Sequence, residues 1–269
     1  MNTTALILRL RDLPYMQQAI YLRDLLRELT VRDMKVKYMD SVLGIAWSLM
    51  APLLQLLVYN FMFSLVLNLN IPNYASFAYS GMLAWTWFQA SLFEAAGAIT
   101  SSRELIRQPA FPVAVLPAVT VTTNLIHFLL ALPILICILT ASSTTPGLAI
   151  LTLPIVMAVQ FVLTLSLAYL VAAANVIFRD TQHLLGVLLQ LLFFLTPVFY
   201  DASAVPASYQ LLYRLNPMVH LVDAYRAILL HGTAPNWGSL LVLSGLAAGI
   251  LYVSLRLFKR VSYRFVEEL

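Results

Sequence analysis

The chain has 269 residues, of which 61% are hydrophobic and 10% are charged, and its formal net charge is +4. A soluble domain carries about 25% charged residues, so this composition excludes a soluble protein and indicates an integral membrane protein. The apolar runs are long and helical in character, which excludes short alternating strands, and the single cysteine excludes a disulfide framework.

An amphipathic helix is the first predicted element and covers residues 15–38. Its apolar face follows the i, i+3, i+4, i+7 spacing and consists of Leu22, Leu25, Leu26 and Leu29. Asp33 and Lys37 are four residues apart, so we expect them to form an ion pair. A helix with this pattern lies in the membrane interface rather than across the bilayer.

Six apolar runs follow the amphipathic helix. Each can cross the hydrocarbon core, which needs about 20 helical residues, although the fifth run is short. The predicted spans cover residues 42–67, 75–98, 112–140, 148–177, 183–199 and 240–257. We therefore expect an all-α membrane protein with six transmembrane helices in a single domain, residues 1–269.

A re-entrant helical hairpin is predicted over residues 206–231, between the fifth and sixth spans. Asn216 and Pro217 form a typical helix start, with an N-cap followed by proline at the first helical position, and Gly232 is a typical stop. The helix between them covers about 15 residues, or roughly 22 Å, which is too short to cross the bilayer comfortably. We expect this hairpin to enter and leave the outer leaflet.

The positive charges predict the orientation of the chain. With six spans, every lysine and arginine except Arg214 and Arg226 falls on one side of the membrane. The positive-inside rule assigns that side to the cytoplasm, so both termini are expected there. The basic residues therefore indicate topology, and no nucleic-acid partner is expected.

The loop after the second span carries a capping-box pattern. The Ser101 hydroxyl is placed to accept a hydrogen bond from the amide of Glu104, whose side chain can reach back. The pattern predicts a short polar helix at the cytoplasmic face, which contains Arg103 and Arg107 and is ended by Pro109. This helix is either an ordinary structured loop or a contact for a soluble partner.

Motifs for nucleotide or metal binding are missing from the sequence. There is no G-x-x-x-x-G-K-[ST] loop, no His/Cys cluster with zinc spacing and no nucleophile elbow. Glu94 is an acidic residue near the end of a predicted span, so it is either functional or located at the interface. Asp223 and Arg226, three residues apart, are expected to form a structural ion pair in the re-entrant hairpin rather than a catalytic site.

The abundant aromatic side chains allow two interpretations. Most are expected in belts at the membrane interfaces. Aromatic faces can also line a path for sugars, because the C–H face of a sugar packs on a ring. The candidates for a glycan path are Tyr59, Trp85, Trp87 and Phe88.

Several segments together resemble a known family. They are KYMDSVLGIAWSLMAPLLQLLVY, ELIRQPAFPVAVLP, NVIFRDTQHLLGVLLQLLFFLTPVFY and LNPMVHLVDAYRAILLHG. From about residue 20 to the C-terminus, the chain resembles the membrane permease of type-2 ABC exporters, in the branch that exports O-antigen, teichoic acid or capsule. Val113 departs from the basic residue that this family often has after Phe-Pro.

The resemblance implies a homodimer of six-span permeases in the bacterial inner membrane, joined to two copies of a separate ATPase that binds ATP and Mg. This chain would then be no enzyme and would hold no cofactor or metal. The predicted short helix matches the family's coupling helix, and residues 178–183 match a second cytoplasmic contact. The implied coupling residues are Ser101, Arg103, Glu104, Arg107, Arg179 and Asp180.

The resemblance implies that the substrate is a polyprenyl-diphosphate-linked glycan, and specifically O-antigen. The N-terminal helix matches a family element that gates lateral access, where Arg32, Lys35 and Lys37 could capture the diphosphate at about 1 kcal/mol per cation and Tyr38 could add a hydrogen bond. Two alternatives stay open: a type-2 exporter of drugs or small lipids, and a membrane enzyme that acts on polyprenyl-linked sugars.

Overall fold

The computed structural model describes residues 15–39, 44, 46–67, 71–109, 111–142 and 147–262, and all regular structure in these residues is helical. The helices are α1 (Tyr15–Tyr38), α2 (Ala46–Asn60), α3 (Tyr74–Ser101), α4 (Arg103–Ile106), α5 (Val115–Ala141), α6 (Leu153–Ile177), α7 (Thr181–Phe194), α8 (Gln210–Arg214), α9 (Pro217–Leu229) and α10 (Trp237–Val261). A π-helical segment, Phe61–Val66, extends α2, and 3-10 turns cover Leu148–Thr152, Ala202–Ala204 and Ala207–Tyr209.

Four helical segments of the described chain are long and apolar enough to cross a membrane. They are Leu49–Val66, Val115–Ala141, Leu148–Ile177 and Trp237–Val261. α7 is apolar but has only 14 residues, and α3 has 28 residues with more polar positions. The prediction of an all-helical membrane protein is thus confirmed, while four segments rather than six meet this criterion. Residues 42, 43 and 45 of the first predicted span lie outside the described residues.

α3 is the central helix of the bundle. It packs against α5, α6 and α9, and its largest side chains, Tyr79, Trp85 and Trp87, are fully buried. The Gln160 side-chain amide of α6 donates a hydrogen bond of 2.8 Å to the Ala84 carbonyl oxygen of α3. A buried amide that bonds to a neighbouring backbone fixes the register of the two helices.

One end of the bundle, called the α4 end below, brings six helices together. Ile99 of α3, Ile106 of α4, Tyr169 of α6 and Phe258 of α10 belong to one buried apolar cluster. α1 joins this end through Leu29, which packs with the first turns of α5. The amphipathic helix therefore lies along the same end of the bundle as the short polar helix.

The opposite end, called the α9 end, holds the hairpin of α8 and α9. The Tyr74 hydroxyl at the start of α3 donates to the Phe199 carbonyl oxygen after α7, at 3.2 Å. Gly232 after α9 lies so close to Gly147 that a Cβ added to Gly232 would be 3.3 Å from the Gly147 nitrogen. Gly232 has φ +61°, a conformation that glycine adopts at little cost. α3, α5 and α6 connect the two ends.

The helix signals of the sequence have mixed outcomes. The predicted start of α9 is confirmed, because Pro217 is its first residue and the Asn216 side-chain oxygen accepts from the Met218 amide at 3.0 Å. The predicted capping box is wrong: Ser101 ends α3, and its hydroxyl donates to the Ala98 carbonyl oxygen at 3.3 Å. The N-cap of α4 is the next residue, and its side chain makes no capping bond. Extending an existing helix costs less than starting a new one, so α3 continues through the serine.

Candidate functional site

A cavity of about 510 Å³ lies between α1, α2, α3 and α5. Most of its polar side chains cluster toward the α4 end and are Lys37, Tyr38, Glu94, Asn124 and His127; the others are Gln55 and Thr86. Farther from that end, the lining is mostly apolar and aromatic and includes Leu83, Trp87, Phe128 and Ala131. The cavity therefore suits an amphiphile, with a polar group near the α4 end and an apolar group deeper in the bundle.

Lys37 and Glu94 form an ion pair at the polar side of this cavity. The Lys37 ammonium donates to one Glu94 carboxylate oxygen at 2.8 Å, and the Asn124 side-chain amide donates to the other at 2.8 Å. The Lys37 and Glu94 side chains remain 41% and 39% exposed. The predicted pair of Lys37 with Asp33 is replaced by this contact, because α1 packs against α5 and so brings Lys37 beside Glu94 of α3.

Tyr38, the next residue of α1, makes a second link across the cavity. Its hydroxyl is hydrogen-bonded to the His127 Nε2 of α5 at 2.8 Å, and the two rings meet edge to face with centroids 5.7 Å apart. Consecutive residues of α1 thus contact α3 and α5 separately. These two contacts fix the end of α1 over the cavity.

Arg32 lies at a second cavity, of about 320 Å³, which shares Glu94 with the first. This second cavity is polar and is lined by Asp33, Ser101, Ser102 and Thr120, among others. Arg32 contacts Asp33 at 3.5 Å; burial raises the pKa of Asp33 above its usual range, and the Arg32 charge opposes the shift. Lys35 is exposed and lines neither cavity. The structure thus brings Arg32, Lys37 and Tyr38 of the predicted diphosphate site together around Glu94, without Lys35.

The charged side chains of the predicted coupling surface are exposed at the α4 end. Arg103, Glu104 and Arg107 surround the buried Ile106, which anchors α4 in the apolar core. Arg179 and Asp180 are exposed in the turn between α6 and α7. A firmly anchored helix with exposed charges can transmit movement between a soluble partner and the bundle.

The turn between α6 and α7 is also fixed to the bundle. The Gln182 backbone amide donates to the Asn175 side-chain oxygen at 3.1 Å, and the Gln182 side chain donates to the Phe93 carbonyl oxygen at 3.4 Å. Phe93 precedes Glu94, so this turn contacts α3 next to the cavity. Displacement of the turn would therefore reach the backbone of α3 beside the ion pair.

Three of the four predicted glycan-path aromatics lie in the core, and the fourth, Tyr59, is partly buried against it. Trp85, Trp87 and Phe88 are at most 2% exposed, although Trp87 also borders the cavity described above. Tyr59 packs on Phe199 with ring centroids 4.1 Å apart, and its hydroxyl accepts from Gln55. Trp85 and Phe88 therefore do not face an open path in this conformation, because α3 is central and buries most of its surface.

Arg226 is buried at the α9 end without the predicted carboxylate partner. Its guanidinium lies 3.5 Å from the centroid of the Phe77 ring and donates to the Val198 carbonyl oxygen at 2.8 Å. Among the described residues, no ion pair joins Arg226 to Asp223, whose side chain is exposed. Backbone oxygens after the end of α7 lack helical donors, and the arginine supplies one.

Two residues of the cavity were missed by the sequence analysis. Asn124 and His127 are three residues apart on α5, within an otherwise apolar segment. Polar side chains inside a membrane segment point to functional sites, and this signal applies to both. Asn124 contacts Glu94, 30 residues away, and His127 contacts Tyr38, 89 residues away, so both contacts depend on how α5 packs in the bundle.

Comparison with known proteins identifies the family. The profile of the ABC-2 type transporter family matches residues 24–230. An O-antigen export system permease protein RfbA of Myxococcus xanthus is 37% identical over 92% of this chain and 96% of its own length. Two proteins of the same name from Klebsiella pneumoniae are 30% and 31% identical over 92% of this chain and 95% of theirs. The chain belongs to the ABC-2 type transporter family.

Membership in this family excludes one of the two alternatives that the sequence left open, namely a membrane enzyme. The chain is the membrane subunit of a transporter located in the inner membrane, and it is not an enzyme acting on polyprenyl-linked sugars. ATP and Mg act through a separate ATPase partner.

Proposed function

We propose that this chain is the transmembrane subunit of an ATP-driven exporter of O-antigen, a polysaccharide carried on polyprenyl diphosphate. The observation that carries the proposal is the similarity to O-antigen export permeases over more than nine tenths of both chains. The amphiphile-shaped cavity supports it independently, because a lipid-linked glycan has an apolar chain, an anionic linker and a polar sugar.

The proposed topology has six spans with both termini in the cytoplasm. α2, α3, α5, α6, α7 and α10 would be the spans, and α8 and α9 the outer re-entrant hairpin. Support comes from the position of α9 at the end opposite α4, and from the basic side chains of α1 and the end of α10 at the α4 end. By the positive-inside rule, the α4 end then faces the cytoplasm.

The two cavities around Glu94 form the proposed substrate-access site. The diphosphate would lie beside Glu94, which borders both cavities, with Lys37 and Tyr38 on one side and Arg32 on the other. The polyprenyl chain would follow the apolar side of the larger cavity, past Trp47, into the bilayer. The first sugars would occupy the smaller polar cavity near the α4 end.

In the proposed mechanism, conformational changes of the ATPase are transmitted to this site through α4 and the turn between α6 and α7. Arg103, Glu104 and Arg107 would contact the ATPase directly, and Arg179 and Asp180 would form a second contact. We expect two copies of this chain and two copies of the ATPase, as the family resemblance implies.

A gene deletion tests the proposed function. Cells without this chain should lose surface O-antigen and accumulate lipid-linked glycan in the cytoplasmic leaflet, and expression of the chain should reverse both effects. Unchanged surface glycan together with altered efflux of drugs or small lipids would support the remaining alternative instead.

A further inference from the structure

The cation best placed for the substrate already has an anionic partner. Lys37 donates to Glu94 at 2.8 Å, and Asn124 holds the second oxygen of the same carboxylate at 2.8 Å. An anionic ligand that approaches the Lys37 ammonium must displace Glu94 or share the three ammonium donors with it, against the repulsion of its negative charge. The carboxylate is therefore an internal competitor for anionic ligands.

The location of the site makes such competition useful. α1 is an interfacial helix in the proposed topology, and the inner leaflet around it contains anionic phospholipids. The apolar side of the cavity, where Trp47 is 49% exposed, would admit an acyl chain as readily as a polyprenyl chain. Shape alone therefore does not exclude phospholipids from the cavity.

The head groups differ in charge and in number of acceptor oxygens. A phosphodiester carries one negative charge and can replace Glu94 on one cation, with no gain over the existing pair. A diphosphate has two phosphoryl groups, so it can accept from Lys37 in one cavity and from Arg32 in the other. The Arg32–Asp33 contact is longer, at 3.5 Å, and its side chains are about half exposed, so Arg32 can bind the second phosphoryl group at lower cost. The second contact offsets the loss of the Lys37–Glu94 pair, because charge-assisted hydrogen bonds are stronger than those between neutral groups.

We propose that Glu94 is a specificity-determining residue, which keeps monoanionic phospholipids off Lys37 and allows only a diphosphate to displace it. The inference rests on the proposed function, because it assigns the selectivity of the same access site. Asn124 keeps the displaced carboxylate in place, so that it returns to Lys37 once the substrate has left. Selectivity of this kind arises from a built-in penalty against the wrong ligand.

Lipid binding to the permease–ATPase complex tests the inference. The complex is placed in phosphatidylcholine nanodiscs with either phosphatidylglycerol or a polyprenyl diphosphate as the probe, and bound lipid is counted by native mass spectrometry. The wild-type complex should retain the polyprenyl diphosphate and little phosphatidylglycerol. Glu94→Gln should bind phosphatidylglycerol with about fivefold higher apparent affinity, equivalent to about 1 kcal/mol. This is the upper range for a partly exposed ion pair.

Matched variants separate the possible outcomes. Glu28→Gln removes an exposed carboxylate from α1 outside both cavities and should behave as wild type. If Glu94→Gln retains the polyprenyl diphosphate but binds phosphatidylglycerol no better than wild type, the inference is wrong and the proposed function stands. If the wild-type complex does not retain the polyprenyl diphosphate, the access site itself is wrong.

A second substitution tests the inference in case the Glu94→Gln variant does not fold. Glu94→Asp keeps the charge and shortens the side chain by one methylene group, which lengthens the distance to the Lys37 ammonium. It should bind phosphatidylglycerol more tightly than wild type while it retains the polyprenyl diphosphate. Wild-type affinity for phosphatidylglycerol in this variant would also contradict the inference.

Discussion

The Tyr38 hydroxyl and the His127 Nε2 are 2.8 Å apart, and this hydrogen bond joins the last turn of α1 to α5. The preceding residue, Lys37, reaches Glu94 of α3 instead. The end of α1 is thus held to two neighbouring helices by side chains of adjacent residues. Movement of α1 away from the bundle must break both contacts, so each should control how often the cavity opens.

Tyr38→Phe should loosen the end of α1. The substitution keeps the ring contact with His127 and removes a hydrogen bond worth about 1 kcal/mol, which corresponds to about fivefold more opening. Hydrogen exchange of the backbone amides in the last turn of α1 should rise accordingly. Tyr21→Phe, at an exposed position of α1, is the control. Equal exchange in both variants would show that the hydroxyl does not hold α1.

Arg226→Ala should destabilise the α9 end. The substitution removes the donor to the Val198 carbonyl oxygen and the guanidinium that stacks on Phe77, and it leaves a cavity. Loss of a buried donor and of packing together should cost about 2 kcal/mol or more. The thermal unfolding midpoint of the purified protein should fall, whereas Arg214→Ala, at an exposed position, should leave it nearly unchanged. Similar midpoints for both variants would contradict the structural role.

Glu104→Gln combined with Arg107→Gln should uncouple the permease from its ATPase. Both side chains are exposed, so the double variant should fold and insert in normal amounts. Lipid-linked substrate should no longer raise ATP hydrolysis, and surface glycan should be lost. Arg23→Gln, which removes an exposed charge from α1 instead of α4, provides the control. Normal export with normal stimulation of the ATPase would exclude α4 as the coupling element.

Local sequence signals predicted those parts of the fold that depend on neighbouring residues. The start of α9 at Asn216 and Pro217 is an example, because the cap and the proline act within one turn. The capping box at Ser101 failed because the buried face of α3 extends through Ile99 and favours continuation of that helix. Here the packing of a long helix outweighed a cap worth about 1 kcal/mol.

The candidate site was predictable only in part. Charge patterning placed Arg32, Lys37 and Tyr38 at the membrane interface, and the structure lines the two cavities with them. The partners of Lys37 and Tyr38 are far away in the sequence, so the packing of α1 against α3 and α5 had to be known first. The same packing separates Lys37 from Lys35, which the sequence alone treats as equivalent.

Comparison of Lys37→Gln with Lys35→Gln tests the proposed access site most directly. Substrate-stimulated ATP hydrolysis is measured for the permease–ATPase complex over a range of lipid-linked glycan concentrations. A hydrogen bond to a charged group contributes about 1.5–3 kcal/mol, so Lys37→Gln should raise the half-maximal concentration about tenfold or more. Lys35→Gln, which removes the same charge outside both cavities, should change it by less than about twofold. Equal shifts in the two variants would contradict the account, because the cations would then act only through the general charge of α1.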